Sequence, residues 1–157
     1  MKTMVLGVGN PILQDDSIGL HIVESLKTKI TDLTVVVETA FTGGLNLLDS
    51  IQGYEKLIVV DSVKNKSKNT GDVDRFTLQE VTGIYSSNPH DVSFPEAMEL
   101  ARNLGMDDLP SEIIIIGVVV NHDPEFGEEL SHTVREAIPK AVSLILCELQ
   151  QNRRKNT

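Results

Sequence analysis

The chain opens on a short apolar run, Met4-Val5-Leu6-Gly7-Val8, that stops at a Gly/Asn/Pro turn, as a buried first strand does. Apolar residues then recur at Ile18, Ile22, Val23, Leu26 and Ile30, the spacing of one helix face. Leu33 to Glu38 is valine-rich and reads as a second strand. The loop Thr39-Ala40-Phe41-Thr42-Gly43-Gly44 and a short helix through Leu45, Leu47, Leu48 and Ile51 come next. Leu57-Ile58-Val59-Val60 forms a third strand that ends at Asp61.

Strands alternating with helices predict βαβ units, a parallel sheet and right-handed crossovers. Between Asp61 and the strand-like Val73-Asp74-Arg75-Phe76-Thr77 lies only the polar loop Lys64 to Gly71, too short for a helical crossover. That strand is expected to be antiparallel and at an edge. A helix starting near Phe94-Pro95 carries Ala97, Leu100, Ala101 and Leu104 and stops at Gly105. The unbroken run Ile113 to Val120 suits a central strand covered on both faces. The last helix starts at the N-cap Ser131, turns Val134, Ile138, Ala141, Val142, Ile145, Leu146 and Leu149 to the sheet, and should kink at Pro139. The expected fold is a single-domain α/β three-layer sandwich: a twisted, mostly parallel five-stranded sheet with an antiparallel edge strand and helices on both faces. Residues 1–151 make the domain, and Asn152 to Thr157, with no apolar anchor, form a disordered basic tail.

Composition narrows the function. At 157 residues, with 40% hydrophobic and 24% charged, the chain has the makeup of one globular domain with its own core. A net charge of -9 and 4% aromatic residues oppose a nucleic-acid surface, which needs basic faces and stacking platforms. No stretch approaches the roughly 20 apolar residues of a membrane span. The one cysteine, Cys147, lies in an apolar helical stretch and is expected to be a buried small hydrophobe. With no secretory signal at the start, the expected location is the cytoplasm.

The chemistry concentrates where the first strand ends. Gly7-Val8-Gly9-Asn10 begins like a phosphate-binding loop, but the third glycine of a dinucleotide fingerprint is replaced by Ile12, and Asp15 and Asp16 follow. Carboxylates at the start of a helix favour a cation over a phosphate. Asp15 reads as the helix N-cap, which leaves Asp16 for a ligand. In open α/β sheets ligands bind outside the carboxyl ends of the strands. Asp16 after the first strand, Thr42-Gly43-Gly44 after the second and Asp61 after the third therefore converge on one rim. His90, in the polar loop Ser86-Ser87-Asn88-Pro89-His90-Asp91, joins them. Two carboxylates and an imidazole form a candidate three-ligand site for a divalent transition metal with open positions. His122, Asp123 and Glu125 fall near the same rim, but turn chemistry accounts for Asp123-Pro124. His21 and His132 read as solvated helix residues, and Lys64, Lys66 and Lys68 as a solvated loop. No G-x-S-x-G elbow or H-E-x-x-H motif is present.

In order and spacing, Gly7-Val8-Gly9-Asn10 with Asp15-Asp16-Ser17-Ile18-Gly19, Leu57 to Asp61, Ser87-Asn88-Pro89-His90, and Gly117-Val118 leading to Leu130-Ser131 and Val134 resemble the hydrogenase maturation endopeptidases. The resemblance implies a protease that removes a short C-terminal extension from the [NiFe] hydrogenase large-subunit precursor after its metal centre is loaded. It implies catalytic and metal-contacting roles for Asp16, Asp61 and His90. The nickel would come with the substrate and act as recognition signal rather than be permanently bound. The expected partner is that precursor, with neither nucleic acid nor membrane, and the chain is expected to work as a monomer. One departure stands out: where the family often has an acidic residue and glycines after the second strand, this chain has Thr39-Ala40-Phe41, with Glu38 one place earlier. The identity of the general base stays open between metal-assisted and paired-carboxylate chemistry. The rival from another class is a non-catalytic metal-sensing chaperone for the same subunit; the rival using Gly7-Val8-Gly9 for a nucleotide is opposed by the aspartates.

Overall fold

A computed structural model describes residues 1–41, 47–80 and 94–155. Strand β1 (Thr3–Val8) leads through a 3-10 turn (Gln14–Ser17) into α1 (Ile18–Lys27), β2 (Val35–Ala40) and α2 (Leu48–Ile51). Then follow β3 (Lys56–Val63), β4 (Val73–Thr77), α3 (Phe94–Asn103), β5 (Glu112–Val119), α4 (His132–Arg135) and α5 (Ala137–Lys155). The five strands run in the order β2-β1-β3-β5-β4. All pairs are parallel except β4 with β5, so the edge strand expected from its short polar connection is antiparallel. The Asn121 amide ties that connection down by donating to the carbonyls of Asn65 and Lys68.

Alternation along the strands divides the core into two layers. Val5, Ile58, Val60, Ile114, Ile116 and Val118 face α1 and α5. Met4, Leu6, Leu57, Val59, Val63, Ile115 and Val119 face α2 and α3. The three-layer α/β sandwich is therefore as the periodicity predicts, and no described helix is long and apolar enough to cross a membrane.

Several local expectations shift. The long apolar strand β5 is interior, but the middle position belongs to β3, which runs on past Asp61 to Val63 because β5 continues beside it. Leu33 stays outside β2 and is exposed. On α3, Met98 takes a core position, while Leu100 and, one residue past the helix, Leu104 are exposed. Pro139 has no N–H for the carbonyl four residues earlier, Arg135, and the last helix is interrupted there at Glu136 rather than bent at the proline.

The C-terminal residues depart most from expectation. Instead of fraying after the last apolar position, α5 extends to Lys155, and Asn152 is buried. The cause is Lys56 at the start of β3, only 1% exposed. Its Nζ donates to Asn152 Oδ1 at 2.9 Å and pairs with Glu112 at 3.2 Å and Glu148 at 3.3 Å, while Arg75 also grips Glu148. Arg153 pairs with Asp32 at 3.2 Å, fixing the last turn. With Glu148 turned inward, Cys147 is rotated onto the exposed outer face of α5, contrary to its expected burial. Lys56→Ala leaves Glu148 and Asn152 short of a buried partner, so the free energy of unfolding should fall by about 3 kcal/mol, measured by urea denaturation. The Arg75 contact to Glu148 keeps the loss near the lower end of what breaking a buried pair costs.

Candidate active site

Two glycines decide where the acidic turn lands. A Cβ on Gly19 would stand 2.3 Å from the Val60 carbonyl oxygen and 2.5 Å from that of Val8. One on Gly9 would stand 2.5 Å from the Asp16 carbonyl oxygen. Only without side chains can the first turn of α1 rest directly on the backbone ends of β1 and β3. The glycines of the opening motif thus serve close packing of strand, turn and helix.

The approach to that turn is fixed from the β5 side. Leu13 and Gly127 form an isolated parallel bridge; the Gly127 N–H donates to Ile12 and the Gln14 N–H to Gly127, each at 2.9 Å. Gln14 leaves the bridge with φ of 35°, a conformation rare for a side-chain-bearing residue. Backbone strain of this kind persists where surrounding contacts over-determine it.

Asp15 and Asp16 then diverge. Asp15 is 1% exposed and makes no helix cap, correcting the sequence expectation; neither the 3-10 turn nor α1 has a side-chain cap bond. Its Oδ1 accepts the Ser131 backbone N–H at 2.7 Å and its Oδ2 contacts His122 Nε2 at 2.7 Å. Asp15 therefore clamps the segment after β5 to the segment after β1. His122, which sequence reasoning set aside, is the surface half of that clamp. Only their shared place at the rim connects them in the sequence.

Asp16 turns toward β3. Its Oδ2 accepts the Asn10 N–H at 3.2 Å and its Oδ1 the Ser62 hydroxyl at 3.2 Å. Asp61 lies one residue past the last β1–β3 pair, Gly7 with Val60. It is 8% exposed, and its Oδ1 accepts the Ser62 N–H at 2.7 Å. Two of the three expected site residues thus meet through one residue, Ser62, that the sequence had not singled out. His90 lies outside the described residues, as do Thr42, Gly43 and Gly44. Among the described residues no group of three or more His, Cys, Asp and Glu side chains comes together to hold a metal.

The remaining polar candidates have local roles. Lys64 pairs with Asp123 at 3.1 Å and Lys68 with Asp74 on the surface. His132 contacts Glu136 at 2.9 Å. His21 sits on the surface of α1, where partial desolvation and then the Arg135 guanidinium hold its imidazole below the ordinary value. Glu38 is exposed on β2 opposite Leu6, short of the strand's end.

The chain is similar to known proteins over nearly its whole length. A family model described as hydrogenase maturation protease (HycI) matches residues 20–148. The hydrogenase 2 maturation protease of Escherichia coli K12 is 27% identical over 157 residues, covering 97% of this chain and 93% of that protein. The hydrogenase expression/formation protein HupD of Thiocapsa roseopersicina is 30% identical over 154 residues, covering 96% of this chain and 68% of that protein. Among solved structures, the hydrogenase maturating endopeptidase HybD from E. coli superposes with a TM-score of 0.83 at 28% identity, covering 97% of this chain and 94% of that one.

The Asp15 clamp makes its own prediction. Asp15→Ala removes the charged acceptor of the part-buried Ser131 N–H bond, which should cost about 1.5–3 kcal/mol of stability. Hydrogen exchange should accelerate at the Ser131 amide while the β3 and β5 amides keep their protection relative to the new global stability.

Proposed function

Since this chain belongs to the hydrogenase maturation protease family, we propose that it is the endopeptidase that removes the C-terminal extension of a nickel-loaded [NiFe] hydrogenase large-subunit precursor, with the substrate's nickel as recognition signal. The chain is a peptidase, as its family is. The observation that carries the more detailed reading is the pairing of Asp16 and Asp61 through Ser62 at the carboxyl ends of β1 and β3. Hard carboxylate oxygens beside an imidazole form a donor set suited to a divalent cation, and His90 is the sequence's candidate for that third donor.

In this reading the precursor brings its nickel to the rim, and Asp16, Asp61 and His90 complete the metal's coordination. Docking on the metal sets the register of the chain, so that the scissile carbonyl lies beside a polarising charge and a water molecule can be activated. A carboxylate of the same pair can take the proton of the attacking water and return it to the leaving amine. A precursor lacking nickel would miss the contact that fixes its register, so cleavage would follow metal loading. No tightly held catalytic zinc is required, and the protein acts as a single cytoplasmic chain.

The rim also suits a polypeptide. Ile12 is 52% exposed, Phe41 65% and Phe126 83%, and they stand on the segments following β1, β2 and β5. Apolar side chains around a polar centre supply contact area for a bound chain.

Purified protein mixed with nickel-loaded precursor should yield a shortened large subunit and a released C-terminal peptide by mass spectrometry, and nickel-free precursor should stay intact. Asp16→Asn and Asp61→Asn should each slow trimming by at least about 100-fold. Trimming by Asp16→Asn at the wild-type rate would remove the assignment, and nickel-dependent binding without any cleavage would favour a chaperone instead.

A further inference from the structure

Resting on the reading of Asp16 and Asp61 as cation ligands, we propose that Ser62 is the positioning residue that sets the two carboxylates relative to each other. Ser62 reaches them with different groups, its backbone N–H to Asp61 Oδ1 at 2.7 Å and its hydroxyl to Asp16 Oδ1 at 3.2 Å. The first contact follows from the sheet. Val63 accepts the Val120 N–H, so the ladder's alternation aims the Ser62 N–H at the opposite side of β3. On that side β1 makes its last pair with Val60, and no strand residue stands opposite Ser62. Asp61 fills the vacancy with its own carboxylate.

The second contact crosses from β3 to the turn after β1. Ser62 is paired with Val118 of β5, so the backbone that carries its hydroxyl is held within the sheet and not in a loop. The Asp16 carboxylate sits on a short 3-10 turn and takes its setting from that hydroxyl and from the Asn10 N–H. Each ligand therefore has one oxygen fixed by Ser62. Groups that orient metal ligands in this way typically govern affinity by 10- to 100-fold. Alanine at 62 would keep the N–H bond to Asp61 and remove only the hydroxyl, freeing Asp16 to swing away from its partner. Threonine would keep the hydroxyl and suits a strand position.

The test titrates nickel(II) chloride into the full chain by calorimetry, for wild type, Ser62→Ala, Ser62→Thr and Asp16→Asn, with melting of each metal-free protein measured alongside. Ser62→Ala is expected to weaken nickel binding by about 10-fold, with Ser62→Thr within about threefold of wild type and melting temperatures of the metal-free variants close together. Ser62→Ala binding nickel as wild type does overturns the positioning role, as does a loss that Ser62→Thr fails to restore. Failure of the underlying reading looks different: the wild type takes up no nickel, or Asp16→Asn binds it unchanged.

Discussion

The contact of the Gly19 backbone with the carbonyl ends of β1 and β3 is the constraint from which the rim of this molecule follows. No residue with a Cβ fits there, because the nearest oxygens lie at 2.3 Å and 2.5 Å from where that atom would be. With the helix seated so low, the turn before it has no room to rise away from the sheet, and its two consecutive carboxylates must point along the surface in different directions. Asp15 reaches the segment after β5 and Asp16 reaches β3. A helix placed a few ångströms higher would leave both acids in solvent, with neither the clamp nor the carboxylate pair.

The two ends of the sheet solve different problems. At the amino end, Lys56 is enclosed by Glu112, Glu148 and Asn152, and the charges are matched within a few ångströms. Such a cluster is costly to desolvate, and its function is to fix how the long terminal helix lies on the sheet. At the carboxyl end, Asp16 and Asp61 accept hydrogen bonds from backbone N–H groups and from the Ser62 hydroxyl. The two clusters are thus separated by the length of a strand, and substitutions in one should act nearly independently of the other.

The fold was legible in the sequence because period-two and helical spacing of apolar residues are local properties, and because nine polar residues between β3 and β4 are too few for a crossover. The nearness of Asp16 and Asp61 was legible because strands of a parallel sheet deliver their carboxyl ends to one rim. What escaped depends on contacts between distant positions. Asp15 looked like a cap, yet its partners lie 107 and 116 residues away. Ser62 carries no signal beyond being next to an aspartate. The burial of Asn152 and the exposure of Cys147 come from one source: helix phase near the C-terminus is set by the needs of a buried lysine, and apolar character alone says nothing of that.

Cys147 has a practical meaning in this light. It is the one sulfhydryl in the chain, it faces solvent, and it neighbours Glu148, whose partner Lys56 begins β3 at the end of the sheet away from the aspartates. A thiol-reactive fluorophore therefore has a single attachment point on the unaltered protein, on the back of the molecule. Tumbling of that dye would report the arrival and departure of a large partner docking at the rim in real time, without a probe standing in its way.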